Sequence, residues 1–146
     1  MKMKKSFSLA ILALTVFSPP SPAALAGPVS PPLKETRAFQ RYGEGPHSDL
    51  AKLLCLIDRF RGTDVQVIYQ GHPYDASTAI EFARGYLARN YKKERPDRWI
   101  KANVTLRGFD GKMPEFKFSD GKTRPVVDVL LEELNLLYQT EGKKDP

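Results

Sequence analysis

Residues 65–75 read VQVIYQGHPYD, and 76–90 continue ASTAIEFARGYLARN. Val65 to Tyr69 is a β-branched and aromatic run, which favours a strand. Gln70-Gly71 can turn the chain in two residues, and His72 to Tyr74 can return as a second strand. Pro73 suits an edge strand, because it has no N–H to donate to a further neighbour. Asp75 is placed to cap a following helix. Ala79, Phe82, Ala83, Tyr86 and Leu87 recur at helical spacing and form its expected apolar stripe. Gly85 weakens that helix by about 1 kcal/mol relative to alanine.

Upstream, Ser48 is an N-cap type, and Leu50, Leu53, Leu54, Ile57 and Phe60 make one apolar helical face that Gly62 is expected to close. Cys55 falls on the flank of that face. On the other side, Pro96 opens a short helix with Trp99 and Ile100 inward. Phe116 and Phe118 alternate with charged residues as a half-buried strand does, and Asp120-Gly121 is a turn signal. Val126, Val127, Leu130, Leu131, Leu134 and Leu137 form a last amphipathic helix, expected to start near Thr123 with Pro125 in its first turn. The order predicts an α+β fold: a small antiparallel sheet of two hairpins with amphipathic helices packed on one face. We place this single domain at 48–141. Residues 27–47 are rich in proline and glycine and read as a mobile arm, with a weak helical turn over 34–41. As an alternative, the arm would dock a partner through Phe39 and Tyr42. Residues 142–146 are a polar tail.

The first 26 residues read as an export signal. Lys2, Lys4 and Lys5 precede an apolar run from Phe7 to Phe17, prolines follow, and Ala24-Leu25-Ala26 offers small residues for cleavage after Ala26, with Ala23 as the nearby alternative. The run is too short to cross a bilayer, which needs roughly 20 residues. Of the 23 basic and 17 acidic residues, three lysines leave with the signal and no acid does, so the mature chain carries +3. That excess is too small to argue for nucleic acid. About 120 residues remain, enough for one core. The expected location is the periplasm. Cys55 is the only cysteine, which excludes an internal disulfide, and it is not positioned as a lipoprotein's acylated first residue. Its ordinary role is a small packed residue, with an intermolecular disulfide as the alternative.

No catalytic set stands out. His47 and His72 belong to no metal-ligand spacing, so neither a metal nor a cofactor is expected. Cys55 and His72 would act as nucleophile and base only if the fold joined a helix flank to a hairpin tip. Asp110, Glu115 and Asp120 cluster near turns, where acids are chiefly turn formers. Gly108-Phe109-Asp110-Gly111-Lys112 lacks phosphate-loop spacing and reads as a β-turn. The stretch from Arg84 to Lys101 holds seven basic residues against Glu94 and Asp97. It reads first as a solvated basic segment, then as a contact for an anionic envelope polymer or an acidic protein.

The run Val67-Ile68-Tyr69-Gln70-Gly71-His72-Pro73-Tyr74 and its helix, then Trp99-Ile100, Gly111-Lys112, Phe116 to Phe118 and Leu130 to Leu137, resemble in their order a small exported family of Gram-negative bacteria, domain-of-unknown-function family 5329. The resemblance spans roughly 50–137. Members often carry a serine run where this chain has Val104-Thr105-Leu106-Arg107, and cysteines where it has Thr63, Ala76 and Ser77. The resemblance implies an exported α+β domain and no established activity.

The leading expectation is a non-enzymatic, soluble periplasmic binding protein. Its contact surface is expected at the hairpin tip (Tyr69, Gly71, His72, Tyr74) and the loop carrying Arg107, Gly111 and Lys112, with an envelope protein as partner. The alternatives are an envelope hydrolase or transferase using carboxylates near Asp110 and Asp120, and a binder of anionic envelope polymer. Neither nucleic acid nor stable membrane insertion after cleavage is expected.

Overall fold

The computed structural model describes residues 29–142; the expected signal and residues 143–146 of the tail lie outside them. A short 3-10 turn, Leu33–Glu35, precedes α1 (Arg37–Glu44) and α2 (Asp49–Asp58). Then come β1 (Gln66–Tyr69), β2 (His72–Asp75), α3 (Ala76–Asn90) and α4 (Pro96–Asn103). The chain closes with β3 (Glu115–Lys117), β4 (Thr123–Pro125) and α5 (Val126–Glu141).

The four strands form one antiparallel sheet in the order β2-β1-β3-β4, two hairpins joined through β1 and β3. Directly paired residues share a face. Val67 pairs with both Tyr74 and Phe116, and Phe116 pairs with Arg124, so these four lie on the helix-covered side. Phe116 stacks on Phe60 there, centroids 4.6 Å apart. The opposite face is largely open to solvent. One row across it runs Pro73, Ile68, Glu115, Pro125. It is bracketed by a proline on each edge strand, where an outward N–H would otherwise invite another strand. Both edges are thereby blunted.

Local chemistry sets the element ends. Ser48 Oγ accepts the Ala51 N–H at 3.1 Å, and Asp75 Oδ1 accepts that of Thr78 at 2.7 Å. Pro96 opens α4, with Trp99 and Ile100 buried as the spacing predicts. The α5 start is shifted: Thr123–Pro125 is edge strand, and Pro125 is the N-cap instead of a first-turn residue. Gly62 has φ +78° but lies in the turn beyond α2, which already ends at Asp58.

The stretch read as a mobile arm is packed. Leu33, Ala38 and Tyr42 are buried against Cys55 and Leu137, and Val29 enters the main core. Thr36 caps α1 by accepting the Phe39 N–H at 3.2 Å. Because α1 covers a second side of α2, Cys55 is buried and not on a half-open flank, while Leu50 is exposed. The stripe of α3 is also rotated from its expected phase. Ala76, Ile80 and Leu87 are buried, with Ala83 packed beside them, and Phe82 is 71 % exposed. Ala76, Ile80, Ala83 and Leu87, spaced three or four residues apart, form the inward face, and Phe82 lies off it, stacked on Tyr86 at 6.4 Å.

An ion pair crosses the core. Arg59, just past α2, donates to Glu133 of α5 at 2.7 Å, and neither side chain has exposed surface. Arg59 also donates to the Pro31 carbonyl, tying the N-terminal segment to the same point. Burial pushes the Glu133 carboxyl above its ordinary range, against the pull of Arg59.

Candidate interaction surface

Two turns build the surface. In the β1–β2 hairpin, Gln70 and Gly71 have φ of 52° and 76°, the paired positive values of a type I′ turn. Glycine adopts this freely; Gln70 is held there by the hairpin it closes. Tyr69 pairs with His72 at the base of the turn. By strand alternation, Tyr69, His72 and Tyr74 all lie on the helix-covered side of the sheet. His72 is exposed, Tyr69 partly buried, and Tyr74 40 % exposed.

The second turn is Gly108–Lys112. The Gly108 N–H donates to the Lys112 carbonyl at 3.0 Å, and the Gly111 N–H to the Gly108 carbonyl at 2.9 Å. The Lys112 N–H donates to Asp110 Oδ1 at 3.0 Å, and Arg107 Nη1 to the Gly111 carbonyl at 2.8 Å. Gly111 takes φ +72°, which its side-chain-free backbone allows. The loop is therefore fixed by its own bonds. Its Gly108, Gly111 and Lys112 N–H groups are spent internally, which leaves few donors for an anion.

The two turns meet. A β-carbon at Gly108 would stand 2.4 Å from Gln70 Cγ, so the loop backbone lies directly on the hairpin's turn residue. The structure thus joins the two segments that the sequence singles out separately. Sequence reasoning missed Gln70 as the contact and missed what the loop displays. Phe109 at its tip is 99 % exposed, and Leu106 before it is 50 % exposed. An aromatic residue outside any apolar periodicity and directly before Asp-Gly was the available signal for Phe109.

The approach to the loop is anchored on α4. Trp99 is buried and meets Tyr86 edge-on at 6.3 Å, and the Tyr86 hydroxyl donates to Asn103 Oδ1 at 3.1 Å. Val104 packs on the core before the chain emerges at Leu106.

A third turn, Phe118–Lys122, repeats the Gly108–Lys112 turn. In it, the Phe118 N–H donates to the Lys122 carbonyl, Gly121 to the Phe118 carbonyl, and Lys122 to Asp120 Oδ1, each at 2.9 Å. Gly121 has φ +83°. The same Asp-Gly-Lys turn carries Ser119 where the Gly108–Lys112 turn carries Phe109. Asp110 and Asp120 are thus each engaged in their own turn, as turn formers. The carboxylate-based alternative gains no paired site from them.

Elsewhere, an open groove of about 220 Å³ between α1 and α2 is lined by Arg41, Tyr42, Leu54, Cys55 and Asp58, among others. Burial pushes the Cys55 thiol up to about 12, which keeps it protonated and unreactive near neutral pH. His47 stacks on Tyr42 at 4.6 Å, and both reach Glu141. Among the described residues no three His, Cys, Asp or Glu side chains gather as a metal site, and no helix is long and apolar enough to cross a membrane.

No family model, curated protein or solved structure matches the chain.

Proposed function

We propose that this chain is an exported, periplasmic binding protein without catalytic activity, released by cleavage after Ala26, that holds an envelope partner at the hairpin–loop surface. Membership of the exported family that its residue order resembles is part of the same proposal. The observation that carries it is Phe109: a fully exposed aromatic on a turn fixed by its own hydrogen bonds and seated on Gln70. A rigid aromatic loses little conformational entropy on docking, which suits it to anchor a contact. Arg107 and Lys112 flank it in the loop, and the hairpin that the loop meets at Gln70 carries His72 and Tyr74, which offer further polar and aromatic contacts.

The partner expected from the tyrosines and arginines is an envelope protein; an anionic envelope constituent is the second reading, favoured by the basic stretch after Arg84. The test is co-sedimentation of purified mature protein with the washed envelope fraction of the source cells. The wild type is expected in the pellet and Phe109→Ser in the supernatant. Equal sedimentation of the two, or none of either, overturns the proposal.

A further inference from the structure

The charges are segregated along the chain. Nine basic and three acidic residues lie between Arg84 and Lys112, whereas the rest of the described chain holds nine basic and thirteen acidic ones. α5 carries Asp128, Glu132, Glu133 and Glu141 and no lysine or arginine. Within the basic stretch, Arg84 pairs with Asp58 and Arg95 with Asp97; among the described residues the other seven cations have no carboxylate partner. Pro96, Trp99 and Ile100 face the core, which turns Arg98 and Lys101 outward on α4. The chain then leads through Val104 into the exposed Leu106, Arg107, Phe109 and Lys112. Uncompensated cations and exposed apolar side chains therefore share one continuous stretch.

We infer that this stretch lies reversibly on an anionic phospholipid surface. Leu106 and Phe109 enter the interface, and Arg107 and Lys112, backed by Arg98 and Lys101, meet lipid phosphates. Such attachment adds buried apolar area to electrostatic attraction, and this stretch supplies both. An acidic sugar polymer would use the cations and the Phe109 ring but leave the aliphatic Leu106 unused. A free phosphate would need several donors from the loop backbone, and three of its five N–H groups, those of Gly108, Gly111 and Lys112, are already spent. The inference rests on the binding reading above and takes its second partner class, an anionic envelope constituent, in the specific form of a phospholipid surface.

The experiment is flotation of mature protein with vesicles of phosphatidylglycerol and phosphatidylcholine in equal parts, against pure phosphatidylcholine, at low and high salt. Binding to the anionic vesicles alone, lost at high salt, is expected. Each surface cation is worth about a fivefold change in affinity, so Arg107→Gln with Lys112→Gln weakens binding roughly 30-fold. Leu106→Ser with Phe109→Ser weakens it without changing its salt dependence. Lys117→Gln with Lys122→Gln, an equal charge change at the end of β3 and in the turn that follows it, leaves it nearly unchanged. Unchanged circular dichroism and melting temperature establish that each variant is folded. A heparin column run in parallel separates lipid from polymer: retention there that is indifferent to the Leu106 and Phe109 changes, with no vesicle binding, overturns the inference in favour of an acidic polymer. Absence of vesicle binding by protein that still sediments with the envelope fraction overturns it in favour of a protein partner, and leaves the binding reading standing.

Discussion

Gly108 lies against Gln70 so closely that any β-carbon at position 108 would stand 2.4 Å from Gln70 Cγ. One contact thus joins a loop and a hairpin tip separated by nearly forty residues of chain. Gly108→Ala forces the two apart, because Cγ sits near the base of the Gln70 side chain and has little room to swing. The expected cost is about 1 kcal/mol, the low end for overpacking at a half-buried site. The amide signals of Gln70 and Gly71 should shift in an NMR spectrum while those of α5 stay in place. An undisturbed hairpin tip in that variant would show that the loop and hairpin are not seated on one another.

The buried pair Arg59–Glu133 makes a different prediction. Arg59→Met leaves a carboxyl in the core without its partner and releases the Pro31 carbonyl. It should destabilise the fold by about 3–5 kcal/mol in urea unfolding. Arg59→Met with Glu133→Leu removes both charges and should recover most of that loss. A double variant as unstable as the single one would mean that the tie to Pro31, and not the ion pair, is what matters.

Asp75 ties stability to acid pH. Accepting the Thr78 N–H holds its carboxyl below the ordinary 3.8. A depressed folded value means stability present above the unfolded value and lost as pH falls through the folded one. Glu132, held down by Arg124, acts in the same direction. Glu133, held up by burial, acts the other way, so the cap is read from a difference: on going from neutral to strongly acid pH, the urea midpoint of the wild type should lose more, or gain less, than that of Asp75→Asn. Parallel acid losses in the two proteins would remove the cap from this account.

Cys55 should be inert. Its thiol is buried and its acidity suppressed to about 12. Alkylation by iodoacetamide at mildly alkaline pH should be negligible in the native protein and rapid in urea. Rapid native labelling would mean that α1 leaves α2 readily.

The legible parts of the fold are those governed by neighbours in sequence. Gln70-Gly71 as a turn, Pro73 on an edge, the Asp75 cap, Pro96 at a helix start and Asp120-Gly121 follow from backbone chemistry within a few residues. Missed features depend on distant partners. Val29, Leu33, Ala38 and Tyr42 look like a proline- and glycine-broken spacer until α2 and Leu137 of α5 offer a surface. Arg59 and Glu133 stand beside or within apolar stripes, where a charge signals nothing until its partner is found. Phe82 reads as inward because aromatic residues usually mark a buried face, but the face that meets the core is the one carrying Ile80. At the candidate surface the turns were readable, but their contact and the exposure of Phe109 were not. Both depend on where α4 delivers the chain.

Phe109 as a docking residue, and not merely an exposed one, has a built-in control in the twin turn. Ser119 occupies the matching position in a turn of the same geometry. The most direct measurement places a photoreactive benzoyl-phenylalanine at 109 or at 119 and irradiates living cells. A specific adduct, protein or lipid, at 109 and none at 119 is the result this account predicts; equal adducts at both positions, or none at 109, would contradict it.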